Sequence, residues 1–270
     1  MADHCNNHDN HDHHDHDHHG HDHHDHHHTH HGHEHHHPSA PAPSGDKDKD
    51  YAEANKTFFD AKAQEQPDPR WVEMAKKAGA AIRSKYAFKE DSTVLMDFAC
   101  NVGLTSRELA PYTKTLVGVD ISQGAVDVFN KAVSNQGIAP EDMRAVCVEL
   151  KGEEGELDGL KFDVITCIVS YHHFADIDKM TQMLSFFLKP GGALLVVDIT
   201  KPPAATAADS LFPAEFGHVV AHTGGMTKEG MQKAYEGAGL VNFEFEHLEK
   251  VTVHEKEMML FIAKGVKLAN

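Results

Sequence analysis

Asp97 closes the apolar run TVLMDF, Asp120 closes TLVGVD, and the segment ACNVGLTSREL after the first reads as a tight turn opening a helix. A carboxylate at a strand end accepts hydrogen bonds from hydroxyls or pairs with a cation, and a turn of small residues lets a ligand approach the backbone. That combination suits a ligand seated at the carboxyl ends of parallel strands, against a tight strand-to-helix turn. Two of the glycines usual in such a turn are replaced by Ala99 and Asn101, while Gly103 remains. After glycine, asparagine is among the residues best able to take a positive φ, so Asn101 preserves the turn; Ala99 adds only a methyl. Further on, His172 and His173 follow the run KFDVITCI. An unperturbed imidazole, with a pKa of ~6.5, is suited to removing protons near neutrality. Adjacent side chains diverge, so at most one of the two faces a pocket. In EFGHVVAHTGGMT, His218 and His222 share a face at i, i+4 if the stretch is helical, a spacing that can bind metal. A catalytic zinc usually takes three protein ligands, and spacing places no carboxylate nearby, so a polar lid is the preferred reading. His222 joins His172 and His173 as a candidate catalytic residue.

The elements that must position these groups alternate. Short β-branched runs at 93–98, 115–119, 143–148, 162–168 and 193–198 are separated by helical stretches at 104–111, 122–136 and 176–188. This alternation predicts a parallel sheet built from βαβ units. Two helices precede it, in YAEANKTFFDAKA and in RWVEMAKKAGAAIRSKYAF, the second starting just after Pro67 and Pro69. A helix over 227–238 and two strands over 241–248 and 257–264 close the chain; following each other directly, those strands can pair antiparallel. The turn KPGG is expected to end a helix and lead into the fifth strand. The predicted fold class is α/β, a Rossmann-like sheet of seven mostly parallel strands flanked by helices.

The segment 93–122 resembles the first βαβ unit of class I S-adenosylmethionine-dependent methyltransferases, and KPGGALLVVDIT resembles that family's turn and fifth strand. CVELKGEEGELDGLKFDVITCIVSYHHF is similar to its third and fourth strands. A dinucleotide dehydrogenase also places an acid on a ribose, but Asp97, standing before the turn, speaks against it. The resemblance covers about 51–264 and is nearest the small-molecule branch that includes quinone methyltransferases. It implies that S-adenosylmethionine is the cofactor. Asp97 would then lie near the methionine amino group, and Asp120 with Ile121 at the ribose. Ala99, Cys100, Asn101 and Gly103 would form the turn, with Glu149 and Leu150 bordering the adenine and Ile168 at the strand-4 exit. Tyr51, Phe58 and Phe59 would cover the cofactor. The exit CIVSYHHF lacks the Asn/Asp-Pro-Pro-aromatic motif, which disfavours methylation of adenine N6 or glutamine amides. The implied activity is methyl transfer to an O, N or S atom of a small molecule.

The first 50 residues are of another kind. They hold 20 of the 26 histidines, between His4 and His37, with 11 acids and two lysines. Such a tract has nothing apolar to bury, so 1–50 is expected to be a disordered tail and linker and 51–270 the folded domain. Neutral imidazoles interleaved with carboxylates make a multidentate ligand for Zn, Ni or Cu. The densest candidates are His11, His13, His14, His16, His18, His19, His21, His23, His24, His26, His27 and His28. Divalent metal ions are therefore expected partners. The alternative reading of the whole chain is a metal-buffering protein with a catalytically silent fold. The body, with 31 acids and 23 Lys and Arg, lacks the basic footprint of a nucleic-acid or anionic-membrane binder. Four scattered cysteines and no long apolar run point to a cytoplasmic protein.

Overall fold

The computed structural model describes residues 46–202, 210–253 and 256–269. Seven strands form one sheet, β1 (Val94–Phe98), β2 (Thr115–Asp120), β3 (Met143–Cys147), β4 (Phe162–Ile168), β5 (Leu188–Thr200), β6 (Leu240–Val253) and β7 (Lys256–Lys267). Their order is β3-β2-β1-β4-β5-β7-β6. The first five pair in parallel, and β7 runs antiparallel to both β5 and β6. The chain builds outward from β1 to β3, then returns to lay β4 on the other side of β1. The strand order therefore reverses between β1 and β4, where open α/β sheets leave a crevice at the carboxyl ends of their strands.

The near-continuous apolar runs are explained by burial on both faces. Leu95, Val164 and Leu195 pack on one side with Ile82 of α2 (Pro69–Lys85), Leu109 of α3 (Leu104–Leu109) and Phe129 of α4 (Gln123–Asn135). Met96, Ile165 and Leu194 pack on the other with Leu184 and Phe187 of α5 (Ile177–Phe187) and Met231 and Tyr235 of α6 (Lys228–Gly237). Each such large side chain, taken out of water, contributes about 1.5–3 kcal/mol.

Three expectations are revised. The first helix, α1 (Lys47–Lys62), begins inside the expected linker, because the Asp46 carboxylate accepts the Asp48 N–H at 3.1 Å and caps it. Pro190, Gly191 and Gly192 do not precede the fifth strand. They form a bulge within it, since Phe162 pairs with Leu188 while Val164 pairs with Ala193, and Gly191 takes φ 79°. His218 and His222 do not share a helical face, as a 3-10 helix over Ala214–His218 stops at His218.

Candidate active site

A cavity of about 760 Å³ opens at the carboxyl ends of β1, β2 and β4. The turn after β1 holds the unusual backbone. Ala99, Asn101 and Gly103 have φ of 56°, 48° and 79°. Asn101 thus adopts the positive φ expected of it, and Ala99, a residue that pays for this conformation, adopts it too. Gly103 caps α3 without lining the cavity, and a Cβ there would meet the Phe129 ring at 2.5 Å. Asp97, Ala99, Cys100, Asn101, Asp120, Ile121, Glu149, Leu150 and Ile168 all line the cavity.

Asp120 Oδ2 accepts the Asn101 N–H at 2.8 Å and Oδ1 the Ser122 N–H at 2.9 Å. Burial pushes its carboxyl above the usual range, against the pull of these bonds. Asp97 is buried, with Ser106 Oγ and Thr166 Oγ1 donating to its two oxygens, the second at 3.0 Å. Burial outweighs both bonds, and the neighbouring Asp120 adds to it, so the Asp97 carboxyl is pushed up to about 6. Neither aspartate is ion-paired among the described residues. Two buried carboxylates at the mouth of one cavity form an acceptor-rich end suited to hydroxyls and a cationic group.

At the other end, His172 and His173 both line the cavity, their rings 4.2 Å apart, contrary to the expectation that at most one faces it. They follow Val169, a β-branched residue at φ 50° and a genuine backbone outlier, which turns the chain sharply after β4. His172 Nδ1 lies 2.7 Å from Asp198 Oδ1, and its backbone N–H donates to Asp198 Oδ2 at 3.2 Å. Burial would raise Asp198, but the charge and hydrogen bond of His172, with backbone bonds from Ile199 and His172, hold it below the usual carboxylate range. His173 Nδ1 donates to the Val219 carbonyl at 2.6 Å. Burial, then the neighbouring His172, depress His173 to about 3, so it is neutral at working pH. His222 lies outside the lining. Its Nε2 donates to the Phe174 carbonyl at 2.9 Å and its backbone N–H to the His172 carbonyl, which makes it a clamp on the 171–174 turn. His218 is exposed, with Nδ1 donating to the Glu215 carbonyl. Among the described residues no group of three His, Cys, Asp or Glu could hold a metal ion, and the tail histidines lie outside those residues.

α1 roofs the cavity. Tyr51, Phe58 and Phe59 line it, and Asn55 Nδ2 donates to the same Val219 carbonyl that His173 holds. Asp60 accepts from Ser122 Oγ at 2.6 Å and from the Gly124 N–H at 2.9 Å, fastening α1 to the N-terminus of α4. Asn55, Asp60 and Asp198 are absent from the candidates named from sequence. Asp198 had a legible signal, since it ends an apolar strand as Asp97 and Asp120 do; Asn55 and Asp60 had none.

The strand order and the cavity at the β1/β4 switch point are those of the class I methyltransferase fold. Residues 96–194 match the methyltransferase domain family. An uncharacterised methyltransferase of Schizosaccharomyces pombe is 37% identical over 161 residues, 58% of this chain and 56% of that one. The ubiquinone biosynthesis O-methyltransferase of Brucella anthropi is 32% identical over 111 residues, 41% of this chain and 43% of that one. The chain spans about half the length of the curated relatives it matches. Among solved structures, magnesium protoporphyrin IX methyltransferase from Synechocystis superposes with a TM-score of 0.55 at 13% identity, covering 82% of this chain and 97% of that one. Phosphoethanolamine N-methyltransferase 2 from Haemonchus contortus gives 0.56 at 14% identity, covering 78% and 60%. At these identities the likeness concerns the fold.

Proposed function

We propose that this chain is an S-adenosylmethionine-dependent methyltransferase acting on an O, N or S atom of a small molecule. The observation that carries the reading is one cavity holding two unpaired buried carboxylates and the positive-φ turn at one end and two imidazoles at the other. Similarity to proteins described as methyltransferases, and in fold to the Haemonchus enzyme solved with S-adenosylmethionine, supports it. Asp120 and Ile121 would hold the ribose, Asp97 the ammonium end, and Glu149 and Leu150 would border the adenine, with Ala99, Cys100 and Asn101 passing beneath and Ile168 alongside. Gly103 would act by shaping the turn. When bound, S-adenosylmethionine supplies a methyl group already activated on a sulfonium, so positioning does most of the protein's work. His172 or His173 would take a proton from an acceptor that arrives protonated.

The acceptor reading agrees with an acidic body, and no helix among the described residues is long and apolar enough to cross a membrane. A cytoplasmic enzyme working without nucleic acid or membrane is the reading that follows. Titration calorimetry of the full chain with S-adenosylhomocysteine tests it. One-site binding is expected, and no heat at protein concentrations of tens of micromolar overturns it.

A second reading concerns residues 1–45. Twenty imidazoles between His4 and His37 favour a role as a chelator of Zn, Ni or Cu alongside the enzyme. Were S-adenosylhomocysteine not to bind while zinc did, metal buffering would become the main function.

A further inference from the structure

His172 and Asp198 have a geometry beyond what methyl transfer by positioning requires. Asp198 is fully buried at the carboxyl end of β5, and its carboxylate meets the His172 ring at Nδ1 and the His172 backbone at N. The two contacts fix both ring orientation and tautomer, since Asp198 Oδ2 is engaged by the His172 backbone N–H and Oδ1 lies 2.7 Å from Nδ1 as an acceptor, so in the neutral ring Nδ1 carries the hydrogen. Nε2 is thereby left as the lone-pair nitrogen. No hydrogen bond from another described residue takes it, and the residue lines the cavity. Phe212 stacks on the imidazole, the ring centroids 4.9 Å apart and the planes at 25°. His173 is built differently, because its Nδ1 meets the Val219 carbonyl and Asp198 acts on its ring only through space, outweighed by burial and by His172.

Resting on the methyltransferase reading, we propose that His172 and Asp198 form a proton-abstracting dyad, with Asp198 as its positioning and charge-compensating residue. The dyad serves acceptors whose nucleophile is a protonated hydroxyl or thiol on an apolar body. A neutral amine attacks through its own lone pair and sheds its proton afterwards. A hydroxyl must lose its proton as it attacks. In the proposed step the acceptor O–H or S–H bond breaks towards His172 Nε2, the new bond to the methyl carbon forms, and the carbon–sulfur bond electrons return to sulfur. The imidazolium so formed lies against the Asp198 carboxylate, which neutralises it within a buried setting. The surroundings fit an apolar body. Around the dyad stand Phe59, Phe212, Phe216, Val219, Val220 and Met258, and the titratable groups facing the pair are His173, Cys167 and Tyr171, none of them cationic at neutral pH. Among the described residues no lysine or arginine is a charged neighbour of Asp198 or His173, although Lys62, Lys151 and Lys179 line the same cavity.

The test compares two probes in the full-length protein with S-adenosylmethionine, a phenol protonated at the assay pH and an electron-poor thiophenol already ionised there. S-adenosylhomocysteine release is followed for wild type, His172→Gln, Asp198→Asn and His173→Gln. A base is needed only for the first probe. His172→Gln and Asp198→Asn are expected to lower kcat/KM for the phenol by about 100-fold or more while changing the thiophenol by less than about threefold. His173→Gln should move both alike. Equal losses on both probes in the dyad variants would show a structural role and overturn the proposal. So would failure of wild type to turn over either probe while still binding S-adenosylhomocysteine. Loss of S-adenosylhomocysteine binding by wild type would instead overturn the methyltransferase reading itself.

Discussion

Asp120 and Asn101 are joined by a hydrogen bond from the Asn101 backbone N–H to Asp120 Oδ2 at 2.8 Å, which ties the turn after β1 to the end of β2. The carboxylate therefore has two tasks on the proposed reading, holding ribose hydroxyls and holding the turn beneath the cofactor. Replacing Asp120 with Ala should weaken S-adenosylhomocysteine binding by about 1.5 to 3 kcal/mol, the cost of losing hydrogen bonds to a charged group. Calorimetry reads this directly. Unchanged affinity would remove Asp120 from the cofactor site.

Asp60 reaches the opposite edge of the same region. It accepts from Ser122 Oγ and the Gly124 N–H at the start of α4, where a carboxylate is favoured by the exposed N–H groups and the helix dipole. The approach is close, since a Cβ on Gly124 would lie 3.3 Å from the Asp60 carbonyl oxygen. Asp60→Ala should lower stability by about 1 kcal/mol, within the usual cost of a lost helix cap. Because α1 roofs the cavity, it should also speed S-adenosylhomocysteine dissociation. Stopped-flow release from wild type and variant checks the second effect, and equal rates would mean that α1 does not gate the site.

The sheet was legible because parallel strands buried on both faces leave apolar runs too continuous to mistake, as in VLMDF and FDVITCI. Strand-end carboxylates were legible for the same reason: an acid closing such a run has few structural uses. That rule also picks out Asp198 in ALLVVDIT, yet the partner that gives it meaning, His172, comes from a different strand exit. Asn55 and Asp60 were illegible because an amphipathic helix shows which face it buries, not what that face meets. The PGG bulge was misread since glycine and proline mark a chain reversal and a bulge alike. The role expected of His222 fails on direction, as its ring nitrogen is taken up by the Phe174 carbonyl.

Asp97 and His173 should act on stability with opposite signs. Burial pushes Asp97 up to about 6, so between about pH 4 and 6 the folded protein holds a proton that the unfolded chain has lost. Its contribution is present below that window and is lost as pH rises through it. His173, depressed to about 3, stays neutral while the unfolded chain takes up a proton below about 6.5. Its contribution is lost as pH falls. At 1.36 kcal/mol per pKa unit the full effects are about 3 kcal/mol for Asp97 and about 5 kcal/mol for His173. Between pH 6 and 4 they largely offset each other. Urea unfolding of Asp97→Asn should therefore show a steeper loss on acidification than wild type, and His173→Gln a shallower one. Parallel curves for all three proteins would contradict these protonation assignments.

The tail offers a test that leaves the folded domain untouched. Removing residues 1–45 keeps Asp46, whose side chain caps α1, so thermal stability and S-adenosylhomocysteine affinity should stay close to those of the full chain. Most bound zinc should disappear with the 20 imidazoles. The acid response should go with them. Residues 1–45 carry eight acids and no lysine or arginine, a net charge of −8 with neutral histidines, and full protonation of the 20 imidazoles takes it to +12. Around the unperturbed imidazole pKa of ~6.5, protons compete with metal for the same nitrogens, so zinc should be released between about pH 8 and 5. Over that interval the tail changes from repelled by an acidic body to attracted to it, an effect that salt should screen. Zinc retained by the truncated chain would move the metal site into the folded domain. A pH–rate profile taken with and without residues 1–45 separates tail from dyad, because an acidic limb that survives truncation but vanishes in His172→Gln belongs to the dyad alone.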